Sequence, residues 1–415
     1  MCGIVGYVGS QQAAPILLDG LSKLEYRGYD SAGLAVRNGT EETEVIKAKG
    51  RLKVLFEKTN GGAAVPGTCG IGHTRWATHG EPSENNAHPH MSDDGNVVAV
   101  HNGIIENYQE LKNKLLRKGY TFYSETDTEV AVKLIDYYYK KYEGTPVDAI
   151  NHSLVRIRGS YALAVMFKDY PEEIYVARKD SPMILGVGDG ESFIASDVPA
   201  ILKYTRNYYL LEENEIATIK SDRVEFCDMH KLPVKKEVQV SNLDMDAAEK
   251  GGYEHFMLKE IHEQPAAVRD TVSPRIINGM PDLSQDGVDM QKLKDYRQIF
   301  IVACGTAMHA GMVGKYVIEK LARKPVIVDI ASEFRYRDPI ITKDDLMIVI
   351  SQSGETADTM AVLRLAKEVG AATLAVVNVV GSSIAREADM VIYTHAGPEI
   401  SVASTKAYMV QISVM

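Results

Sequence analysis

The second residue of the chain is a cysteine in a position where it could act as a nucleophile. Loss of Met1 would leave Cys2 at the N-terminus, and a small second residue permits that removal. A terminal cysteine carries its own base, because a free α-amine has a pKa of ~7.7–8.0 and can accept the thiol proton. The competing interpretation is a small residue at the start of a strand, and a bare Met-Cys pair favours it.

Several polar residues further along could complete such a site. Attack of a thiolate on an amide creates an oxyanion, which needs two hydrogen-bond donors. Asn102 and Gly103 offer a side-chain amide and a backbone N–H, although Asn-Gly is also the commonest hairpin turn. Arg75 could hold a carboxylate with two parallel hydrogen bonds. Asp127 could hold an ammonium group, or it could be the N-cap of a helix.

A second candidate site lies in the last quarter of the chain. An apolar segment at 346–350 leads into Ser-Gln-Ser-Gly-Glu-Thr at 351–356, followed by a helical pattern. Hydroxyl groups and glycine at a helix N-terminus can hold a phosphate. The segment lacks the Gly-Lys-Ser/Thr of an ATP-binding loop. Ordinary helix capping is the alternative.

Histidines are concentrated between residues 73 and 101, which raises the question of a metal site. They are His73, His79, His88, His90 and His101. Imidazole is the commonest metal ligand. No cysteine lies at ligand spacing, however, and the His-Glu segment at 262–263 lacks the second histidine of a zinc-binding helix. No metal site is therefore predicted.

The elements around the first site predict a layered α+β fold. Short apolar segments typical of strands lie at 3–8, 33–36, 96–101, 162–167, 173–177 and 216–219. Helical periodicity occurs at 14–24, 105–118 and 128–142. Strands in clusters with helices between the clusters indicate layers of sheet and helix.

The later part of the chain has a different pattern. Strand-like segments alternate with helices at 298–303, 325–330, 346–350, 372–377 and 390–393, which predicts a doubly wound parallel α/β sheet. We expect one domain over 2–240, a linker over 241–252 and a second domain over 253–415. A helix beginning at Tyr253 should end before Pro265. The helical pattern over 404–415 reaches the last residue, so we expect a longer parent chain.

Composition excludes several classes of protein. The net charge is −10 and no basic block is present, which argues against nucleic-acid binding. Four scattered cysteines do not suit a disulfide framework or a thiolate zinc site. No apolar stretch approaches the ~20 residues of a membrane-spanning helix, and no signal peptide is recognisable. A cytoplasmic protein is expected.

The first half resembles class II glutamine amidotransferases. The resemblance rests on Cys-Gly-Ile-Val-Gly at 2–6, Leu-Glu-Tyr-Arg-Gly-Tyr-Asp-Ser-Ala-Gly at 24–33, His-Thr-Arg-Trp-Ala-Thr-His-Gly at 73–80 and His-Asn-Gly-Ile-Ile-Glu-Asn at 101–107. It implies an N-terminal nucleophile (αββα) fold, Cys2 as nucleophile, and Asn102 with Gly103 as oxyanion hole. The glutamine-binding residues that it implies are Arg27, Arg75, Trp76, Thr78, His79 and Asp127. A lone tryptophan would otherwise be assigned to the core, and Arg27 to a surface ion pair.

The second half resembles sugar isomerase (SIS) domains. The matching segments are Ala-Cys-Gly-Thr at 303–306, Ala-Ser-Glu-Phe-Arg-Tyr-Arg at 331–337, the segment 351–356, and Glu-Ile-Ser-Val-Ala-Ser-Thr-Lys-Ala at 399–407. The sugar-phosphate residues implied by this resemblance are Thr306, Ser351, Gln352, Ser353, Thr356 and Val402. Such domains usually have serine where this chain has Ala307. The loss of one hydrogen bond, worth ~0.5–1.5 kcal/mol, should weaken binding without abolishing it.

The two halves together resemble the glutamine-dependent enzymes that make glucosamine 6-phosphate from fructose 6-phosphate. The resemblance implies these substrates, no metal or redox cofactor, and a homodimer formed through the SIS half. That family continues into a second SIS domain, so we expect this chain to hydrolyse glutamine without completing the synthesis. Other class II amidotransferases remain alternatives, although no ATP-pyrophosphatase signature or pyrophosphate-binding acidic loop follows residue 250. A further alternative is a binding protein that senses sugar phosphates, which would not need Cys2.

Overall fold

The structure of the 415-residue chain is a computed structural model. It describes residues 2–39, 42–77, 79–241 and 250–415. The chain divides into two compact units, residues 1–245 and residues 246–415. No helix within the described ranges is long and apolar enough to cross a bilayer.

The described part of the first unit alternates strands and helices. In chain order its elements are β1 (Gly3–Val8), α1 (Ala13–Leu24), β2 (Ser31–Arg37), β3 (Glu44–Lys49), α2 (Leu52–Lys58), β4 (Cys69–Arg75), β5 (His90–Met91), β6 (Val97–Ile105), α3 (Tyr108–Leu116), α4 (Asp127–Tyr142), α5 (Pro146–Leu154), β7 (Gly159–Phe167), β8 (Ile174–Lys179), β9 (Ile184–Val187), β10 (Ser192–Ala195), β11 (Asn207–Leu210), β12 (Glu215–Ile219), β13 (Val224–Asp228) and β14 (Gln239–Val240).

Two sheets pack face to face in the first unit. One has the order β14-β11-β9-β10-β1-β4-β2-β3 and the other β13-β12-β8-β7-β6-β5. Apolar side chains such as Ile4, Ile71, Val100 and Ala164 fill the space between the sheets. Helices α1 and α2 cover the outer face of the first sheet, and α3 to α5 cover that of the second. This is the αββα arrangement of N-terminal nucleophile proteins, and it confirms the predicted fold.

The register of β1 against β4 brings distant residues together. The two strands are antiparallel, with Gly3 opposite Thr74. The residue before β1 therefore lies beside the end of β4, where the chain continues into Trp76. A Cβ on Gly3 would lie 2.7 Å from the Cβ of Leu24, so only glycine permits α1 to pack so closely on β1.

The second unit is built around a parallel sheet. Its elements are α6 (Phe256–Val272), β15 (Ile276–Ile277), β16 (Met280–Pro281), β17 (Ile299–Ala303), α7 (Gly305–Leu321), β18 (Val326–Ile330), α8 (Ala331–Phe334), β19 (Leu346–Ser351), α9 (Ala357–Glu368), β20 (Ala372–Val377), α10 (Ser383–Glu387), β21 (Met390–Tyr393) and α11 (Lys406–Val414). The parallel strand order is β18-β17-β19-β20-β21. Buried apolar clusters lie on both faces of this sheet, which confirms the predicted doubly wound fold.

The predicted end of the helix before Pro265 is wrong, because α6 continues through this residue to Val272. Proline has no N–H and leaves the carbonyl four residues earlier without its helical donor. Here the side chain of Gln264 donates to the carbonyl of Ile261 over 3.0 Å. Glu260 on the same helix also accepts the backbone N–H of Ile400 over 2.6 Å, so tertiary contacts hold the helix in place.

Candidate active site

The sulfur of Cys2 contacts the backbone of Trp76. The N–H of Trp76 donates to Sγ over 3.2 Å, and the carbonyl of the same residue lies 3.5 Å from Sγ. Burial raises the pKa of the Cys2 thiol, and the hydrogen bond from Trp76 opposes that rise. The site therefore supplies a backbone donor that favours a thiolate, in an otherwise desolvated position.

Asn102 and Gly103 lie inside β6 rather than in a hairpin turn, so the hairpin interpretation is wrong. The amide nitrogen of Asn102 donates to the backbone carbonyl of Cys2 over 3.0 Å, which brings this side chain to the nucleophile. Gly103 has a φ of +129° and stands opposite Tyr161 in β7. A Cβ here would lie 2.2 Å from the carbonyl oxygen of Ser160, so only glycine fits.

Arg75 ends β4 and is 3% exposed. Its guanidinium donates to the carbonyls of His79 and Gly80, the latter over 3.1 Å, and so holds the segment that follows Trp76. Burial lowers the pKa of Arg75, while the negative charges of Asp30 and Asp127 raise it. The ring of His79 packs edge-on against Tyr108 at 5.2 Å. Thr78 lies outside the described residues.

Asp127 is the first residue of α4, and it does not cap the helix. Thr126 does so by accepting the N–H of Glu129 over 3.3 Å, so the N-cap interpretation of Asp127 is wrong. The buried carboxylate of Asp127 instead accepts the N–H of Ile105, at the end of β6, over 2.8 Å. This contact places an anionic group two residues after Gly103.

Trp76 and Arg27 differ in exposure. The indole of Trp76 is 41% exposed and packs edge-on against Tyr29, so the core interpretation is wrong. Arg27 is buried and forms an ion pair with Asp197 over 3.0 Å, which excludes the surface ion pair considered above. Its guanidinium also donates to the carbonyl of Ser196 over 3.1 Å. The hydroxyl of Ser196 accepts the N–H of Ile4, so Arg27 supports the strand that follows Cys2.

Three buried histidines, His73, His88 and His90, contact one another in a row. His73 stacks on His88 with ring centres 4.1 Å apart, and His88 contacts His90 at 5.0 Å. Burial lowers the pKa of His73 to about 3 and those of His88 and His90 well below 6.5. Within the described residues, no group of three or more His, Cys, Asp or Glu could hold a metal ion. The contact of His73 with Asn102, at 3.0 Å, was not predicted, because it joins strands of different sheets.

The second candidate site lies where the parallel sheet reverses its direction of winding. Strands β17 and β19 are neighbours, and the chain leaves them toward opposite edges of the sheet. Ligands bind at such switch points, beyond the carboxyl ends of the strands. The hydroxyl of Ser351, at the end of β19, accepts the N–H of Gly354 over 3.0 Å and bonds to the hydroxyl of Thr356 at 2.9 Å. Thr356 directly precedes α9.

The other predicted sugar-phosphate residues differ in their hydrogen bonds and in their exposure. The hydroxyl of Ser353 accepts the N–H of Glu355 over 3.2 Å, and Gln352 is half-buried. Thr306 is exposed in the first turn of α7, directly beyond β17. Val402 is 65% exposed. Ala307 is 8% exposed within an apolar cluster, which places the missing serine hydroxyl in buried surroundings.

The matching segment 399–407 begins with an acidic residue, Glu399, whose role in organising the last loop was not predicted. Glu399 accepts the N–H groups of Thr405 and Ala407 over 2.9 and 3.0 Å, and the hydroxyl of Ser404 over 3.0 Å. A glutamate followed by several small hydroxyl residues is the signal that could have found it. The carboxylate shapes the loop that carries Val402.

Comparisons with known proteins agree with this geometry. A family model described as a glutamine amidotransferase domain matches residues 73–203, and one described as an SIS domain matches residues 292–415. In the solved structures, the glutamine phosphoribosylpyrophosphate amidotransferase of B. subtilis, complexed with ADP and GMP, is similar. It is 18% identical with a TM-score of 0.50, over 95% of this chain and 90% of that one. This last likeness concerns the fold alone.

Two curated relatives are much closer in sequence. The glutamine–fructose-6-phosphate aminotransferase (isomerizing) of Caldanaerobacter subterraneus subsp. tengcongensis is 60% identical, over 99% of this chain and 67% of the relative. The Thermus thermophilus enzyme of the same name is 48% identical, over 100% of this chain and 67% of the relative. The chain therefore spans about two thirds of the length of these relatives, and it belongs to the family of glutamine–fructose-6-phosphate aminotransferases (isomerizing).

Proposed function

We propose that Cys2 hydrolyses glutamine in the first unit and that the second unit binds fructose 6-phosphate, the acceptor of the ammonia released. The observation that carries the proposal is the convergence on Cys2 of two donors, the N–H of Trp76 at Sγ and the amide of Asn102 at the carbonyl oxygen. In a chain of this family, that convergence is suited to a nucleophile and an oxyanion site.

The reaction in the first unit begins once Met1 is removed. The new α-amine accepts the thiol proton, and Sγ attacks the side-chain carbonyl carbon of glutamine. The amide of Asn102 and the N–H of Gly103 hold the oxyanion. Its collapse breaks the C–N bond, and the leaving nitrogen takes the proton to depart as ammonia. Water then cleaves the thioester, which releases glutamate and restores the thiol.

The charged ends of glutamine need partners of opposite sign. Arg75 would bind the α-carboxylate and Asp127 the α-ammonium group. Both side chains are buried, which strengthens such contacts relative to exposed ones. Trp76, Thr78 and His79 belong to the segment that would close over the substrate, and Arg27 would support the strand after Cys2.

In the second unit, Ser351, Gln352, Ser353 and Thr356 would hold the phosphate at the start of α9, where the helix dipole favours an anion. Thr306 and Val402 would line the sugar. The product of the full reaction would be glucosamine 6-phosphate, and we expect this chain to hydrolyse glutamine without completing that synthesis. We take 2–240 and 253–415 as the two domains, with 241–252 as linker. Residues 242–249 of that linker lie outside the described ranges.

A cytoplasmic homodimer, with neither nucleic acid nor membrane as partner, completes the proposal. Support for a contact between copies comes from α7, which carries exposed apolar side chains, namely Met312, Tyr316, Val317 and Leu321. The net charge of −10 is consistent with a small-molecule enzyme rather than a nucleic-acid binder. Sedimentation of the purified chain tests the dimer.

Glutamate release from glutamine tests the function, with and without fructose 6-phosphate. The Cys2→Ala variant should release none, while Cys227→Ala, a half-buried cysteine in β13, should match the unmodified chain. Stimulation by fructose 6-phosphate would support the sugar-phosphate site. Intact mass reports whether Met1 is removed. Undiminished release by Cys2→Ala, or no release by a chain that has lost Met1, would contradict the proposal.

A further inference from the structure

His73 and Asn102 form a hydrogen bond that connects the two sheets behind the nucleophile. Nε2 of His73 lies 3.0 Å from Oδ1 of Asn102, and Nδ2 of Asn102 donates to the carbonyl of Cys2 over 3.0 Å. His73 is 0% exposed. Its other ring nitrogen, Nδ1, has no hydrogen-bond partner among the described residues. A buried nitrogen without a partner costs stability, which makes a functional reason worth seeking.

The protonation of His73 follows from these contacts. Burial lowers its pKa to about 3, so the ring is neutral in ordinary buffers and carries a single N–H. Because Nδ2 of Asn102 faces the carbonyl of Cys2, the oxygen of the same amide faces His73. Only an N–H on Nε2 can donate to that oxygen. The hydrogen bonds to Asn102 and to the backbone of His101 oppose the fall in pKa, and the contact with Asn102 places the single N–H on Nε2.

The opposite tautomer would select the opposite amide orientation. With its proton on Nδ1, the ring would present an acceptor to Asn102, and the amide would turn its nitrogen toward His73. The oxygen of Asn102 would then face the carbonyl of Cys2, and the nucleophile would lose a donor. Ring and amide are thus coupled, and only one combination leaves a donor beside Cys2.

The surroundings hold the ring of His73 in place. The residue lies in the centre of β4, opposite Ile4 on one side and Gly33 on the other. Its ring stacks on His88, with ring centres 4.1 Å apart and planes inclined by 27°. Nδ1 of His88 in turn accepts the N–H of His101 over 3.4 Å. The ring that contacts Asn102 is therefore held by its stack on His88 and by the pairing of β4 with its two neighbouring strands.

We propose that His73 is a positioning residue for glutamine hydrolysis, which fixes the amide of Asn102 so that its nitrogen faces the oxyanion. The inference rests on the proposed function, in which Asn102 is an oxyanion donor. His73 touches neither the thiol nor the substrate in this role. Its effect is expected on the catalytic step rather than on glutamine binding.

A matched pair of variants tests the donor alone. His73→Gln keeps an N–H on a flexible chain, whereas His73→Met has a similar shape and no donor. We expect His73→Met to lower kcat for glutamate release by about 10- to 100-fold relative to His73→Gln, since loss of an oxyanion donor costs up to about 10³-fold. The KM for glutamine should agree within about threefold in the pair. Equal kcat values would overturn the proposal.

Alkylation of Cys2 by iodoacetamide separates positioning from damage to the fold. This displacement at a CH₂ carbon forms no tetrahedral oxyanion, so its rate reports the thiol and the access to it. We expect equal rates of Cys2 alkylation in the Gln and Met variants. A rate that falls in parallel with kcat would overturn the proposal, because it would place the defect in the thiol or in folding.

A double-mutant cycle with Asn102→Ala tests whether His73 acts through Asn102. Once the amide is absent, His73→Met should cause no further loss of kcat relative to His73→Gln. A full multiplicative loss would overturn the proposal. The proposed function fails separately, if Cys2→Ala in the otherwise unmodified chain still releases glutamate. The His73 inference fails while that function stands, if Cys2→Ala is inactive and the matched pair is equally active.

Discussion

The backbone N–H of Trp76 points at the sulfur of Cys2 across 3.2 Å, although 74 positions separate the two residues. The pairing of Gly3 with Thr74 in the first sheet creates this contact, since it places the residue before β1 next to the end of β4. The donor belongs to the main chain, so the side chain at position 76 can change without removing it. The path of the chain around β4 is what must be preserved.

Gly28 tests that requirement, because its backbone runs directly against Arg75. A Cβ at this position would lie 2.6 Å from the carbonyl carbon of Arg75 and 2.9 Å from the oxygen of Thr74. Gly28→Ala must therefore displace the end of β4. We expect a loss of about 1–3 kcal/mol in the free energy of unfolding, together with a lower kcat for glutamate release. Urea denaturation and a glutaminase assay check both.

Gly39→Ala is the control, because no atom lies within 4 Å of a Cβ built there. Its φ of +57° still costs about 1–2 kcal/mol in the left-handed region. Gly39 follows the end of β2 that pairs with Cys69, at the opposite end of β4 from Arg75, so kcat should be unchanged. If Gly28→Ala had the stability and the kcat of the unmodified chain, the close approach of Gly28 to Arg75 would not matter for the site.

Substitutions of Asp127 distinguish the effect of its negative charge from the effect of its hydrogen bond. Asp127→Asn keeps an oxygen that can accept the N–H of Ile105 but removes the negative charge. We expect the KM for glutamine to rise about 10- to 100-fold, the equivalent of about 1.5–3 kcal/mol for one charged hydrogen bond, with little change in stability. Steady-state kinetics and thermal unfolding measure the two quantities.

Asp127→Ala should raise KM similarly and also cost about 1–3 kcal/mol of stability, because it leaves the N–H of Ile105 buried without a partner. Thr126→Ala is the structural control. It removes the cap of α4 and the hydrogen bonds of this hydroxyl to His90 and Ser124, which together cost about 1–3 kcal/mol. KM should be unchanged. An Asp127→Asn variant with the KM of the unmodified chain would exclude the carboxylate from binding the glutamine ammonium group.

The extent to which the sequence predicts the structure depends on how local each feature is. The strand at 372–377 was predicted at its observed bounds, because a buried parallel strand is a continuous run of apolar residues. Contacts between strands are different. The pairing of His73 with Asn102 depends on how two sheets pack, and no local pattern contains that information. At Pro265 a strong local signal for a helix end was wrong, because a side-chain hydrogen bond from Gln264 and the tertiary contacts of Glu260 keep the helix continuous.

The loop after β19 makes a further prediction. The hydroxyl of Ser351 accepts the N–H of Gly354, so Ser351→Ala would remove a proposed phosphate ligand and a hydrogen bond within the loop. We expect the affinity for fructose 6-phosphate to fall about 10-fold or more, since one or two hydrogen bonds of ~0.5–1.5 kcal/mol each are lost. Titration calorimetry measures this. Ser413→Ala, an exposed residue in α11, is the control, and equal affinities in the two variants would contradict the assignment.

Lys47 in β3 predicts an unusual dependence of stability on pH. Its side chain borders a cavity of about 560 Å³, and its ammonium group lies 5.3 Å from the ring centre of Tyr123. Burial lowers its pKa from 10.5 to about 8, assisted by Arg75 and opposed by Glu129 and Glu84. Below that pKa the folded chain must keep a charged amine in a poorly hydrated place, which reduces stability.

The direction in which stability changes with pH follows from the number of protons that the folded and unfolded chains bind. Between pH 8 and 10.5 the unfolded chain holds a proton on Lys47 that the folded chain has released, so the penalty is relieved as pH rises through this range. Lys47→Met should therefore stabilise the chain by about 1–3 kcal/mol near neutral pH, and the gain should shrink toward about pH 10. Urea denaturation across this range measures the difference. Lys53→Met, whose native side chain is 81% exposed, should show no such trend. A gain from Lys47→Met that is constant with pH would arise from apolar packing and would contradict a shifted amine.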